Sequence, residues 1–145
     1  MIVVQTPLRI SFFGGGTDFE NFYSRRGGAV FSTAIDKYVY VIIKERFDEA
    51  IYVNYSKKET VDDCKKIGHD LVRETIKSVD MDDGIELTTL ADIPSEGSGL
   101  GPSSSVTIGL LQALNTYNSE IKTAEDLAQE ACKIEIDILG KSKCQ

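Results

Sequence analysis

A glycine- and serine-rich stretch between a strand-like and a helix-like segment constrains this chain most. Residues 85–90 are strand-like and residues 106–117 are helix-like. Between them stands Asp92-Ile93-Pro94-Ser95-Glu96-Gly97-Ser98-Gly99-Leu100-Gly101-Pro102-Ser103-Ser104-Ser105. Glycines let a backbone approach a ligand closely, and a helix start offers unpaired N–H groups and the positive end of the helix dipole. The pattern therefore favours a phosphate site.

A plain linker with a serine cap is the alternative interpretation, and glycine spacing alone does not decide between the two. No lysine follows Gly101, so the stretch is not a G-x-x-x-x-G-K-[ST] loop. It is also not a G-x-G-x-x-G motif in a parallel βαβ unit. A phosphate here would be held mostly by backbone N–H groups and serine hydroxyls.

Two motifs resemble those of the GHMP small-molecule kinases. Residues 94–105 are similar to the nucleotide-phosphate loop of that family. Pro7-Leu8-Arg9-Ile10-Ser11-Phe12-Phe13-Gly14-Gly15-Gly16-Thr17-Asp18-Phe19 resembles its first motif, in the form found in sugar-1-kinases that act on heptose 7-phosphate. Two motifs in the right order are more specific than either alone. The resemblance implies that residues 1–145 form one N-terminal ATP-binding domain.

The resemblance implies an ATP-dependent sugar kinase that phosphorylates the anomeric hydroxyl of a heptose 7-phosphate or a related sugar, with ATP and Mg²⁺ as cofactors. The implied metal ligands are Ser103 and Glu135. Pro102 departs from the family, which often has serine there, because proline offers no N–H. The implied phosphate contacts come from Gly97, Ser98, Gly99, Leu100, Gly101, Ser103, Ser104 and Ser105.

In the first motif, the resemblance implies that Arg9 is catalytic and faces the transferred phosphate. It also implies that the sugar is bound by Arg9, Gly16, Thr17 and Asp18. From spacing alone, Arg9 alternates with apolar neighbours and is more typical of a solvent-facing arginine on an edge strand. Asp18 is equally suited to cap a short helix over residues 19–25. Gly15 and Gly16 replace the Glu and His of the galactokinase form, which argues against galactose.

The periodicities, read with the resemblance, predict an α+β fold like the second domain of ribosomal protein S5. We expect a mixed sheet with strands near 2–13, 29–46, 50–55 and 84–90, and helices near 70–79, 103–118 and 124–139 packed on one face. Pro7 should interrupt the first strand, and Asp36-Lys37 should divide the second segment into two strands. Residues 56–67 are highly charged and predict a solvated loop, whose Lys57 and Lys58 could border a nucleotide.

The sequence also predicts the caps of two helices and the apolar face of the last helix. His69 is typical of a capping or surface histidine, and Thr123 of a helix cap. The apolar stripe of the last helix is predicted to be Leu127, Ala131, Ile134 and Ile138. Glu135 lies at the border of that stripe, and the pattern alone favours a solvated glutamate there.

The charge and composition of the chain limit the kinds of molecule that it is expected to bind. Sixteen Lys and Arg against 23 Asp and Glu give a net charge of −7, which disfavours nucleic acids and anionic membranes. The longest apolar run, residues 39–43, is too short to span a bilayer, and the N-terminus lacks a signal-peptide pattern. Three widely spaced cysteines are typical of reduced thiols in a cytoplasmic protein. We expect a small sugar or sugar phosphate as partner and leave the oligomeric state open, with a homodimer as one option.

Kinases of this family continue beyond the position of Gly140 into a segment whose aspartate is the proposed catalytic base. They then add a C-terminal domain with a third glycine-rich motif. The sequence contains neither, so we expect it to be the N-terminal part of such a kinase. Two alternatives stay open: a nucleotide- or sugar-binding module without catalysis, and an S5-like domain that mediates only protein contacts.

Overall fold

The computed structural model describes residues 1–81, 84–94 and 98–140. Within them, one mixed sheet contains β1 (Ile2–Phe13), β2 (Phe31–Glu45), β3 (Ile51–Asn54), β4 (Lys58–Val61) and β5 (Ile85–Ala91). The spatial order is β1-β2-β5-β3-β4. β5 runs antiparallel to β2 and parallel to β3, and so joins the β1–β2 pair to the β3–β4 pair. The α-helices are α1 (Glu20–Arg26), α2 (Asp70–Ser78), α3 (Pro102–Tyr117) and α4 (Ala124–Cys132).

The core lies between one face of the sheet and the helices α2 and α3. Alternating residues of the strands are fully buried there, because side chains alternate across a strand and only one face meets the helices. A second cluster packs α4 against α2 and α3, away from the sheet. The predicted two-layer α+β architecture with helices on one face is therefore confirmed. The central core residues include Leu8, Val41, Ile43, Val53, Leu87, Val72, Ile76, Leu110 and Leu114.

The first two strands are longer and more continuous than the sequence predicted. β1 runs through Pro7, which is tolerated because β1 lies at the edge of the sheet and a proline there breaks no essential ladder bond. In β2 the expected division at Asp36-Lys37 is wrong. Pro7 pairs with Tyr38 and Arg9 with Ala34, so residues 35–37 lie as an irregularity opposite a single residue of β1.

The solvated loop predicted over residues 56–67 is also wrong. This segment contains β4 and a short 3₁₀ turn, Cys64–Lys66. In β4 Lys58 and Thr60 are exposed, whereas Glu59 and Val61 are half-buried. β4 is the other edge of the sheet, where charged residues are common, and these charges conceal the strand alternation in the sequence.

The predicted last helix changes its geometry after α4. Residues Lys133–Ile138 form a π-helical turn, in which the N–H of Leu139 donates to the carbonyl of Ile134, five residues earlier, at 3.0 Å. A wider turn changes the angular position of every later side chain. Glu135 is only 1% exposed, whereas Ile138 is 49% exposed. The predicted solvated border for Glu135 and core position for Ile138 are therefore both wrong.

Both predicted helix caps are present. The Nδ1 atom of His69 accepts a hydrogen bond from the N–H of Val72 at 3.5 Å, at the start of α2. Thr123 and Asp126 form a reciprocal capping box at the start of α4. Over the residues that the structure describes, none of the helices has both the length and the apolar composition needed to traverse a bilayer.

Candidate functional site

The start of α3 is held in an unusual backbone conformation beside β1. Gly101 occupies the position before the first helical residue with φ +72°, in the left-handed region, and no side chain caps the helix there. A Cβ atom on Gly101 would lie 3.1 Å from the guanidinium carbon of Arg9. The backbone angle therefore favours glycine, and any larger residue would also displace the Arg9 guanidinium by a few tenths of an ångström.

Arg9 faces this helix start. Its backbone N–H donates to the carbonyl of Leu100 at 3.3 Å, and its Nη1 donates to the carbonyl of Gly99 at 3.2 Å. Arg9 is half-buried, so its side chain lies against this loop rather than pointing fully into solvent. The arrangement places a permanent positive charge against the loop that leads into α3, where the helix dipole already favours an anion.

The serines of the helix start point in different directions. Ser105 is buried, and its hydroxyl donates to the carbonyl of Pro7 in β1 at 3.1 Å. The hydroxyl of Ser104 donates to Oε2 of Glu135 at 3.2 Å. Ser103 is the second helical residue and lines a large cleft described below. In the loop before them, the Ser98 hydroxyl accepts from the N–H of Leu100 at 3.4 Å.

Glu135 is a buried carboxylate directed at the first turns of α3. Besides Ser104, the hydroxyl of Thr107 contacts its Oε1 at 2.7 Å. No lysine, arginine or histidine among the described residues forms an ion pair with it. Buried charges in proteins are normally paired or coordinate a metal ion. The site therefore lacks a cationic partner from the described part of the chain.

The glycine motif after β1 forms a second, smaller cleft. Gly15–Asp18 is a 3₁₀ turn, in which the Thr17 hydroxyl donates to the carbonyl of Gly14 at 2.7 Å. Phe19, not Asp18, occupies the capping position of α1, so the capping interpretation of Asp18 is wrong. Gly16 is exposed on this turn. A cleft of about 300 Å³ is lined by Thr17, Asp18, Tyr23, Gly28, Ala29, Val30 and Ile136.

A larger cleft of about 660 Å³ adjoins the start of α3. Five separate parts of the chain build it: Val39 of β2, the β3–β4 turn, the start of α2, the end of β5 and the first turns of α3. The rings of Tyr55 and His69 meet edge to face, with centroids 4.8 Å apart and planes at 89°. The lining residues include Tyr55, Ser56, Lys57, His69, Leu71, Leu90, Ile93, Pro102, Ser103 and Val106.

The sequence did not single out Tyr55, His69 or the apolar lining of this cleft as site residues, although it named Lys57 and Ser103. The lining comes from segments far apart in the chain, and no local motif marks it. The hydrogen-bonded pair of Tyr55 and Glu59 raises the pKa of the Tyr55 phenol and lowers that of the Glu59 carboxyl. An aromatic residue directly after a strand and before a charged turn was the available signal.

The structure thus brings most predicted site residues to one region. Arg9, Gly99, Leu100, Gly101 and the three serines surround the start of α3, with Glu135 behind it. Thr17 and Asp18 line the smaller cleft together with Ile136, the residue after Glu135. Gly97 lies outside the described residues. Within those residues, no three His, Cys, Asp or Glu side chains are grouped closely enough to hold a metal ion by themselves.

The family model for the GHMP kinases N terminal domain matches residues 58–144. Among curated proteins, a D-glycero-alpha-D-manno-heptose 7-phosphate kinase from Campylobacter jejuni is 30% identical, over 96% of this chain and 44% of its own length. The chain therefore spans less than half of that relative.

Solved structures share the fold. A D-glycero-D-manno-heptose 1-phosphate kinase from Bacteriodes thetaiotaomicron superimposes with a TM-score of 0.87 and 25% identity, over 98% of this chain and 50% of that one. A Streptococcus pneumoniae phosphomevalonate kinase, in complex with phosphomevalonate and AMPPNP, gives a TM-score of 0.78 at 20% identity, over 98% of this chain and 44% of that one. The second likeness concerns the fold alone.

Proposed function

Because this chain belongs to the GHMP kinases and corresponds to their N-terminal domain, we propose that it is the nucleotide-binding part of an ATP-dependent sugar kinase. The proposed reaction transfers the γ-phosphate of ATP to the anomeric hydroxyl of a heptose 7-phosphate or a related sugar. The observation that carries this proposal is the buried carboxylate of Glu135, held against the start of α3 by Ser104 and Thr107.

The larger cleft is the proposed site of the nucleoside. Its volume of about 660 Å³ lies within the range of small-molecule sites, and its lining is largely apolar and aromatic with a few polar groups. Pro102 and Ser103 belong both to the cleft and to the first turn of α3. A nucleoside in the cleft would therefore place its phosphates at the helix start, where Arg9 and the α3 dipole favour negative charge.

The residues at the helix start suit a magnesium ion. Mg²⁺ is usually held by one or two carboxylates together with substrate phosphates, rather than by a cage of protein ligands. Glu135 supplies a buried carboxylate without a basic partner among the described residues, and Ser103 supplies a hydroxyl at the helix start. These two residues would hold the ion. When bound, Mg²⁺ would neutralise developing charge on the phosphates.

The smaller cleft is the proposed sugar site. Asp18 and Thr17 line it, and carboxylates and hydroxyls are the groups that bind sugar hydroxyls. The Thr17 hydroxyl is fixed between the carbonyls of Gly14 and Ala29, which holds the 3₁₀ turn in one conformation. Asp18 is thus presented from a rigid turn, as accurate orientation of a substrate requires.

Catalysis by these residues would be positional and electrostatic. The guanidinium of Arg9 is anchored to the loop by Gly99, so its charge stays beside the transferred phosphate without reorganisation. The N–H groups in the first turn of α3 point out of the helix end towards the same phosphate. Phosphoryl transfer depends mainly on such alignment and charge stabilisation.

Isothermal titration of the protein at its full natural length with Mg²⁺–ATP tests the proposal. We expect saturable binding that weakens in Glu135→Gln, and formation of ADP when a heptose 7-phosphate is added. Gln112→Glu is a control for a charge change on α3, because the Gln112 side chain, among the described residues, hydrogen-bonds only to Thr116 of the same helix. Failure of the unaltered protein to bind Mg²⁺–ATP would refute the proposal. Binding without ADP formation would favour a non-catalytic binding module.

A further inference from the structure

We propose that Glu59 is a positioning residue for the aromatic wall of the larger cleft, which consists of Tyr55 and His69. By fixing this wall, Glu59 sets the affinity for the nucleoside but not for its phosphates. This inference rests on the nucleotide site proposed above. Glu59 lies in β4 and does not itself line the cleft. It acts through two residues that do.

One carboxylate connects the two sides of this wall. Oε1 of Glu59 accepts a hydrogen bond from the Tyr55 hydroxyl at 2.6 Å. Oε2 accepts one from the N–H of Gly68 at 2.6 Å, immediately before the residue that caps α2. Tyr55 follows β3, whereas Gly68 precedes α2. Glu59 therefore ties the β3–β4 turn to the start of α2.

The two rings that face the cleft depend on this connection. Tyr55 and His69 meet edge to face at 4.8 Å, and this contact is lost if the ring centroids separate beyond about 7 Å. The Glu59 carboxylate fixes the outer end of the tyrosine and the backbone next to the histidine. Both rings are thus held before any ligand arrives, which reduces the entropic cost of binding.

The charge state of Glu59 suits this role. Hydrogen bonds from Tyr55 and from the backbone at Gly68 hold the pKa of the Glu59 carboxyl below its ordinary value. The same contact raises the pKa of the Tyr55 phenol, so the tyrosine remains the donor at neutral pH. A carboxylate accepts through both oxygens, whereas glutamine accepts through one and donates through its nitrogen. Glu59→Gln therefore removes the negative charge from both bonds, and the Tyr55 hydroxyl can keep its contact only by accepting from the amide nitrogen.

The aromatic wall and the proposed phosphate site differ in their residues and in the part of the nucleotide that they would bind. Around Tyr55 and His69 the cleft is completed by Leu71, Leu90 and Val106, which are apolar and suit a flat heterocycle. The phosphates would contact Arg9 and the first residues of α3, whereas Tyr55, Glu59 and His69 belong to other parts of the chain. Loosening the wall should thus weaken binding of a nucleoside triphosphate and leave binding of an inorganic triphosphate unchanged.

Titration calorimetry with two probes tests the inference. We expect Glu59→Gln to weaken Mg²⁺–ATP about tenfold, equivalent to ~1.4 kcal/mol, and to leave Mg²⁺–tripolyphosphate unchanged. Glu86→Gln is the matched control, because Glu86 also accepts two hydrogen bonds, from Arg46 and Asn54, but lies outside the cleft. Unchanged ATP affinity in Glu59→Gln, or an equal loss for both probes, would overturn the inference.

A measurement without ligand separates this inference from the proposed function. His69 is the single histidine of the chain, so its ring gives a unique NMR signal. Glu59→Gln should shift that signal in the ligand-free protein, and Glu86→Gln should not. If the unaltered protein binds no Mg²⁺–ATP, the proposed function fails. The His69 signal then still decides whether Glu59 holds the wall, and an unmoved signal would count against it.

Discussion

The helices α3 and α4 begin in opposite ways, although hydroxyl side chains stand at both starts. At α4 the Thr123 hydroxyl accepts from the N–H of Asp126, and the Asp126 carboxylate accepts from the N–H of Thr123 at 3.1 Å. At α3 the capping position is Gly101, and no side chain closes the helix end. Serine is among the best capping residues, yet three serines follow Gly101 without one of them occupying that position.

We propose that this difference separates a helix start that serves stability from one that is kept for a ligand. The hydroxyls of Ser104 and Ser105 are directed to Glu135 and Pro7, which anchor α3 to its neighbours. The stability of the α3 start therefore comes from tertiary contacts rather than from a cap. Its N–H groups stay directed outwards, where an anion can reach them.

The largest expected effect concerns Glu135. Glu135→Gln keeps side-chain hydrogen bonding to Ser104 and Thr107 but removes the buried negative charge. We expect kcat to fall roughly 100- to 1,000-fold, the scale seen when one electrostatic group is removed from an active site. A coupled assay of ADP formation measures this. Glu125→Gln, at the exposed start of α4, is the control, and equal kcat losses in both variants would contradict the role of Glu135.

A pair of substitutions compares the two helix starts directly. Ser103→Ala should lower kcat by orders of magnitude and barely change stability, because Ser103 is proposed to hold the metal and is not a cap. Thr123→Ala should do the reverse: about 1 kcal/mol of unfolding free energy is lost with its cap, and kcat is unchanged.

Thermal melts with and without Mg²⁺–ATP, run beside turnover assays, separate these outcomes. If Ser103→Ala unfolds early yet keeps full stabilisation by ATP and normal turnover, the helix start of α3 is an ordinary one. The contrast with α4 would then disappear.

Gly101→Ala should have a smaller effect, on stability. An alanine in the left-handed region costs about 1–2 kcal/mol, and its Cβ would also press on Arg9. Chemical denaturation measures the loss. Gly16→Ala is the control for stability, because a Cβ on Gly16 would meet no atom within 4 Å. Equal stabilities for the two variants would show that the backbone at Gly101 is not constrained.

The smallest expected effect is the pH dependence of the α4 cap. The hydrogen bond from the Thr123 hydroxyl lowers the pKa of Asp126 below its ordinary value. A lowered folded-state pKa adds stability that is present above the unfolded pKa, about 3.9, and is lost as the pH falls through the folded value. The difference in melting temperature between the unaltered protein and Asp126→Asn should therefore shrink below about pH 4. A difference that stays constant down to pH 2 would contradict the capping role.

Local patterns predicted most of the fold. The β-favouring run from Tyr38 to Lys44 and the apolar spacing after Ser103 correctly placed β2 and α3. The edge strand β4 was not predicted, because its charged residues obscure the alternation of exposed and buried positions. The π turn was not predicted, because the α-helical period was applied to the whole segment. That period placed Glu135 and Ile138 on the wrong faces of the helix.

The candidate site was predictable where it is contiguous in sequence. Arg9, Asp18 and the serines after Gly101 stand in two motifs, and the structure places them at one end of β1 and of α3. The larger cleft was not predictable, because its walls come from five parts of the chain that meet only in the folded protein. The proposed role of Glu59 was even less predictable from the sequence, because Glu59 contacts Tyr55 of the aromatic wall and does not itself line the cleft.

The central position of β5 has a consequence for synthesis of the chain. β1 pairs with β2 and β3 pairs with β4 through contacts between neighbouring strands, so both pairs can form as soon as they leave the ribosome. The sheet closes only when residues 85–91 enter between them. Until then two separate strand pairs expose open edges that favour association with other chains. The glycine- and serine-rich loop follows β5 directly, so it leaves the ribosome only after all five described strands.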